Sequence, residues 1–226
     1  MEFSKPFNKY FDHTLLKADA TQKEIARLCK EAIEYDFYSV CVNPCHVFTA
    51  KKLLAGTDVK VCCVAGFPLG ASEAGIKLAE SESACKNGAE EIDMVINIGA
   101  VKDGNFNQAE DEIHKIAKAC HEHGALLKVI IETGLLTKEE IPVACNIAEK
   151  CKADFVKTST GFSGTGADTE SLKLMKDSVS DNISIKASGG IGNLKTAIAM
   201  IEAGADRIGA SKSVEIMKEY EGQNSK

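Results

Sequence analysis

Four segments that otherwise read as buried strands carry charges that a plain core would exclude: Asp93, Lys128 with Glu132, Lys157, and Lys186. In Phe155-Val156-Lys157-Thr158-Ser159-Thr160-Gly161-Phe162, Lys157 falls near the C-terminal end of a strand. Glycines at 161, 164 and 166 end that strand, and Asp168 with Thr169 can cap a following helix. Desolvating an ammonium without a partner is costly or forces it neutral, and a neutral amine is a nucleophile. An ordinary lysine, with a pKa of about 10.4, is neutral only about once in 2,500 molecules at pH 7, so a nucleophilic lysine needs help. A second cation and a dry site supply it. Lys186, late in Ile183-Ser184-Ile185-Lys186-Ala187, can be that cation, and Asp93 can offset Lys186 and pass protons. The alternative is a buried Asp93–Lys186 ion pair with Lys157 incidental. Lys128, which precedes most of its strand, is read as a structural lysine nearer a barrel floor, and Glu132 admits either reading.

These residues need a frame that brings them together. Apolar β-rich runs at 11–16, 38–43, 60–65, 91–97, 126–132, 154–159, 183–187 and 206–210 alternate with helical segments. Ile25, Leu28, Cys29, Ala32 and Ile33 form one helical stripe, and Phe106, Ala109, Ile113, Ile116, Ala117 and Cys120 form another. Thr21 with Glu24 and Thr137 with Glu140 have capping-box spacing, while Gly56, Gly88, Gly124 and Gly204 fall just past helix ends. Eight βα units without a long linker predict a single α/β domain over 1–226, a (β/α)8 TIM barrel, with an open doubly wound sheet as the fallback. If the strands close in sequence order, Lys157 and Lys186 lie on neighbours and Asp93 two strands before Lys157. All three can then point into one barrel mouth.

Ser188-Gly189-Gly190-Ile191-Gly192-Asn193 and Gly209-Ala210-Ser211-Lys212-Ser213 follow the last two strands and open helices. Barrels commonly hold phosphate at these loops, through backbone N–H groups that glycine leaves accessible. There is no G-x-G-x-x-G after the first strand and no G-x-x-x-x-G-K-[ST].

Composition narrows the partners. The chain has 226 residues, 44% of them hydrophobic, enough for one sizeable core. A net charge of -6 argues against nucleic acid and against an anionic membrane surface. No apolar run is long enough to span a bilayer, and the N-terminus has no signal core, so the reading is cytoplasmic. Nine cysteines spread through strands and helices read as reduced, core-filling thiols. Cys120-His121-Glu122-His123 is the one metal-like cluster, and a solvated helix end explains it better.

With these residues in view, the chain resembles the deoxyribose-phosphate aldolases over nearly its full length. The resemblance is carried by Asp12-His13-Thr14, Val40-Cys41-Val42-Asn43-Pro44, Val64-Ala65-Gly66-Phe67-Pro68-Leu69-Gly70, Glu91-Ile92-Asp93, the run 128–134, the run 157–162, and Lys186-Ala187-Ser188-Gly189-Gly190. It implies a Schiff base on Lys157, a proton-relay pair of Asp93 and Lys186, and a phosphate site at Gly189, Gly190, Gly209 and Ser211. Asp12, Cys41 and Thr158, which lie in the matching motifs, are expected beside the substrate. Lys212 and Ser213 depart from the family's last loop, and Lys212 is expected to assist phosphate binding. The implied reaction is retro-aldol cleavage of the small phosphorylated sugar 2-deoxyribose 5-phosphate, with no metal or organic cofactor. A homo-oligomer is compatible with the sequence. The rivals are another phosphosugar barrel enzyme and a non-catalytic phosphometabolite-binding protein.

Overall fold

A computed structural model describes residues 3–224. Its eight strands, β1 (Phe11–Leu15), β2 (Ser39–Val42), β3 (Lys60–Ala65), β4 (Glu91–Val95), β5 (Leu126–Ile130), β6 (Phe155–Lys157), β7 (Ser184–Ser188) and β8 (Arg207–Ala210), pair in parallel and in sequence order. β1 also pairs with β8, so the barrel is closed. This is the expected (β/α)8 architecture; the open-sheet alternative is not the fold.

The helices are α1 (Gln22–Glu34), α2 (Val47–Leu53), α3 (Ala74–Lys86), α4 (Ile98–Lys102), α5 (Phe106–Glu122), α6 (Glu140–Lys150), α7 (Thr169–Ser178), α8 (Leu194–Glu202) and α9 (Ser213–Asn224). Thr21 and Glu24 form the reciprocal capping box of α1. Thr137 and Glu140 exchange the same bonds, although the regular helix α6 starts only at Glu140. Asp168 caps α7 by accepting from the Ser171 N–H. Ile25, Leu28, Cys29 and Ala32 are buried in the core, whereas Ile33 at the edge of that stripe and Phe106 at the start of α5 are exposed.

Outward side chains such as Val40, Val42, Ile92, Met94, Val129, Val156 and Ile185 pack beneath the helices in one continuous core. Most strands are shorter than their apolar runs. β4 ends at Val95 because Asn97 turns the chain and accepts the Ala100 N–H as the cap of α4.

Candidate active site

Inward parity on neighbouring strands gathers a buried charge cluster inside the barrel. Across β6 and β7, Lys157 and Lys186 are direct register partners, and across β4 and β5 Asp93 is paired with Lys128. Asp93 Oδ2 accepts from Lys157 Nζ and from Lys186 Nζ, each at 2.7 Å. Its other oxygen accepts from Lys128 Nζ at 2.9 Å and from the Cys62 thiol at 3.1 Å. Lys186 also meets Asp12 Oδ2 at 2.5 Å, and Lys128 meets Glu91 Oε2 at 2.6 Å. Arg207 closes the circuit, donating to Asp12 Oδ1 at 2.7 Å and to Glu91, with its guanidinium 3.4 Å from the Tyr38 ring centroid.

Counted in their ordinary charged forms, Lys128, Lys157, Lys186 and Arg207 oppose Asp12, Glu91 and Asp93, which leaves one positive charge uncompensated. The ties are unequal. Lys128 lies within ion-pair distance of three carboxylates and Lys186 and Arg207 of two each, whereas Lys157 has only the Asp93 oxygen that it shares with Lys186.

Burial alone would push the Asp93 pKa up, but Lys128, Lys157 and Lys186 hold it well below the usual carboxylate range. Asp12 behaves alike: burial opposes its ionised form, and Arg207 and Lys186 outweigh burial, so its pKa is lowered. For Lys186 burial disfavours the charge, yet Asp12 and Asp93 overcome it and raise the pKa; Asp93 and Glu91 do the same for Lys128. Asp12, Asp93, Lys128 and Lys186 are therefore held in their ionised forms.

Above Lys157 opens a cavity of about 260 Å³ at the C-terminal ends of the strands. Its wall includes Thr14 of β1 and Lys17 after it, Lys157, Thr160 and Phe162 around β6, Ser188 to Ile191 where β7 ends, and Gly209 to Ser211 where β8 ends. Of the cluster's lysines, Lys157 alone reaches it. Gly189 and Gly190 have φ of +87° and +75°, a region that favours glycine, and a Cβ on Gly166 would lie 2.3 Å from the Gly189 carbonyl oxygen. Gly209 also makes room for Lys186, since a Cβ there would lie 3.1 Å from that side chain's Cε.

Several residues expected beside the substrate lie behind this wall. Asp12 is fully buried beside Lys186, and its two oxygens face Lys186 and Arg207. Cys41 is buried at register with Cys62 and packs with Val64. Thr158 has the outward parity next to Lys157, and its hydroxyl bonds the Ser188 backbone. Lys212 is exposed and outside the cavity lining, while Lys17, which sequence reasoning passed over, is on it. Lys128 is structural and buried as expected, but its stem reaches up to Asp93 instead of ending at the floor. Glu91 and Arg207 were also missed; each precedes a recognised site residue, Asp93 and Gly209, by two, the spacing that puts both on one strand face.

The Cys120 to His123 run holds no converging ligand set among the described residues: Cys120 is buried, and His121 pairs with Asp154 at 2.9 Å. No described helix is long and apolar enough to cross a membrane.

A closed parallel barrel whose interior amine opens into a glycine-walled cavity has the layout of a barrel enzyme acting on a small molecule. The chain belongs to the DeoC/LacD family of aldolases, whose family model matches residues 7–218. It is 56% identical over 213 residues to the deoxyribose-phosphate aldolase of Aciduliprofundum boonei, covering 94% of this chain and 96% of that one. With the Finegoldia magna protein of the same name it shares 55% identity over 211 residues, covering 93% and 98%. Among solved structures, the aldolase QR15 superposes with a TM-score of 0.92 at 42% identity, covering 97% of each chain. A tetrameric deoxyribose phosphate aldolase from Aeropyrum pernix superposes with a TM-score of 0.90 at 30% identity, covering 96% of this chain and 92% of that one.

Proposed function

We propose that this chain is a deoxyribose-phosphate aldolase, working as one catalytic unit that cleaves 2-deoxy-D-ribose 5-phosphate reversibly to D-glyceraldehyde 3-phosphate and acetaldehyde. The observation that carries the reading is the singular position of Lys157, the one member of a buried charge cluster that faces the cavity and has a single, shared carboxylate contact. Loss of its proton brings the cluster to charge balance and leaves Asp93 its bonds to Lys186 and Lys128.

The neutral Lys157 amine attacks the open-chain aldehyde, and loss of water gives an iminium. That iminium draws in the electron pair as the bond between carbons 2 and 3 breaks, while the carbon 3 hydroxyl loses its proton and becomes the aldehyde of glyceraldehyde 3-phosphate. The enamine left on Lys157 takes a proton at carbon 2, and water releases acetaldehyde. Asp93 and Lys186 are buried beneath Lys157, so a water in the cavity carries the proton between them and the substrate. The phosphate lies against Gly189, Gly190, Gly209 and Ser211, with Lys17 as the neighbouring cation. The name shared by the curated relatives supports the substrate. A cytoplasmic homo-oligomer completes the reading.

The test is borohydride reduction in the presence of 2-deoxyribose 5-phosphate, followed by peptide mass mapping. A reduced adduct on Lys157 is expected. An adduct on Lys186 or Lys128, or none, refutes the assignment.

A further inference from the structure

Glu132 lies outside the charge cluster, yet it is 1% exposed and sits at φ +54°, backbone that a non-glycine residue adopts at a cost. Among the described residues no cation lies within ion-pair distance of it. Its carboxylate instead accepts hydrogen bonds from one segment, the loop that follows Lys157. The Thr160 N–H donates to it at 3.1 Å, the Thr160 hydroxyl at 2.5 Å and the Ser163 hydroxyl at 3.1 Å. A second contact holds the same loop to the same turn: a Cβ on Gly134 would come within 1.7 Å of Thr165 Oγ1, so the turn after β5 and the loop after β6 are in close apposition.

The consequence falls on Thr160. Its hydroxyl hydrogen goes to Glu132, and one lone pair of its oxygen accepts the Phe162 N–H at 3.1 Å. Thr160 lines the cavity three residues beyond Lys157. Only the second lone pair is left, so toward the cavity this hydroxyl is an acceptor and not a donor.

We propose that Glu132 is a positioning residue: it fixes Thr160 as a one-way acceptor that selects substrates with a hydroxyl donor beside the reacting carbons. This rests on the aldolase reading and concerns the discrimination step within it. A glutamine at 132 keeps one acceptor oxygen and replaces the other with an N–H donor, so it cannot accept from Thr160 on one side and Ser163 on the other, and its neutral oxygen holds the Thr160 hydrogen less firmly than a carboxylate does.

The test compares Glu132→Gln, Thr160→Val, Thr160→Ser and the double variant Glu132→Gln/Thr160→Val in the full chain. Two readouts are taken: kcat/KM for cleavage of 2-deoxyribose 5-phosphate, and borohydride trapping of acetaldehyde on Lys157. Acetaldehyde has no hydroxyl, so its trapping reports the nucleophile without the selected contact. The expected result is a loss of about three- to tenfold in kcat/KM for Glu132→Gln and for Thr160→Val, the size of one hydrogen bond. Trapping stays at the wild-type level, Thr160→Ser restores cleavage, and the double variant is no worse than either single one. Unchanged cleavage in Glu132→Gln, multiplying losses in the double variant, or trapping that falls in step with cleavage would overturn the proposal. If Glu132→Gln does not fold, wild-type cleavage by Thr160→Val overturns it alone. Failure of the wild type to be trapped at Lys157 defeats the aldolase reading itself, and this proposal with it.

Discussion

Replacing Asp93 by asparagine removes the one group that three buried ammonium groups share. Lys157, Lys186 and Lys128 lie 2.7, 2.7 and 2.9 Å from its oxygens, and the Cys62 thiol donates as well. An asparagine of the same shape offers one acceptor oxygen and turns a donor toward a site that supplies only donors. The uncompensated charge of the cluster rises from one to two. Leaving a buried charge without its partner costs about 3–5 kcal/mol, against about 5–15 kcal/mol for a whole domain, so the variant should fold but melt early. For a chain of this size about 2–4 °C is lost per kcal/mol, which predicts a fall in Tm of roughly 6–20 °C. Retro-aldol turnover should fall steeply at the same time, because Asp93 is the base nearest to the Lys157 nitrogen. Differential scanning calorimetry and a coupled aldolase assay measure the two effects. A variant within about 1 kcal/mol of wild-type stability would show that Asp93 is not the counter-ion on which the cluster depends. Wild-type turnover in a destabilised variant would separate the structural role from the relay and refute the latter.

The depressed pKa values of Asp12 and Asp93 mean that the stability they confer is present above the ordinary carboxylate value of 3.8 and is lost as pH falls below it; the raised values of Lys128 and Lys186 keep their contribution below 10.5 and lose it above. Wild type and Asp93→Asn should therefore differ by a constant urea midpoint between about pH 5 and 9 and converge below about pH 4, by at most about 1.4 kcal/mol per pH unit; a gap that persists unchanged to pH 2 would contradict the linkage. Lys17 lines the cavity and Lys212 does not, so Lys17→Ser should raise KM for 2-deoxyribose 5-phosphate by a few-fold with kcat nearly unchanged, and the effect should shrink with salt. Lys212→Ser should have the smaller effect, and the reverse order in steady-state assays would place the phosphate on the other side of the β8 loop.

The barrel was legible because β-rich runs and helical segments alternate eight times, two helices opening on capping boxes and four closing just before a glycine. Asp93, Lys157 and Lys186 were legible because a charge at an inward strand position is anomalous whatever the fold. Partners were not. Asp12 and Arg207 are 195 residues apart, and only closure of β1 onto β8 makes them neighbours. Thr158 was expected beside the substrate because it lies in a motif that carries the family resemblance, although period-two alternation sends it to the face opposite Lys157. Lys128 was read as structural but placed too near the floor, since a lysine stem is long enough to reach Asp93. Glu132 could not be resolved either way, because its meaning depends on a loop that sequence does not fold.

The charge imbalance links the site's reactivity to its ligand. In a chain of net charge -6, the long-range field opposes a phosphorylated substrate, but charges beyond about 8 Å are largely screened at physiological ionic strength, so local groups decide. Those groups are positive: the cluster carries one excess charge beneath the cavity, and Lys17 stands at its rim. The two anion-attracting features are at different heights, which orients a substrate that has its phosphate at one end and its aldehyde at the other. In the proposed function the phosphate takes the rim beside the β7 and β8 loops, and the aldehyde is left to meet Lys157. On that proposal, an unprotonated Lys157 removes the excess charge at the floor and leaves the rim unchanged, so the attacking amine would form without loosening the hold on the phosphate.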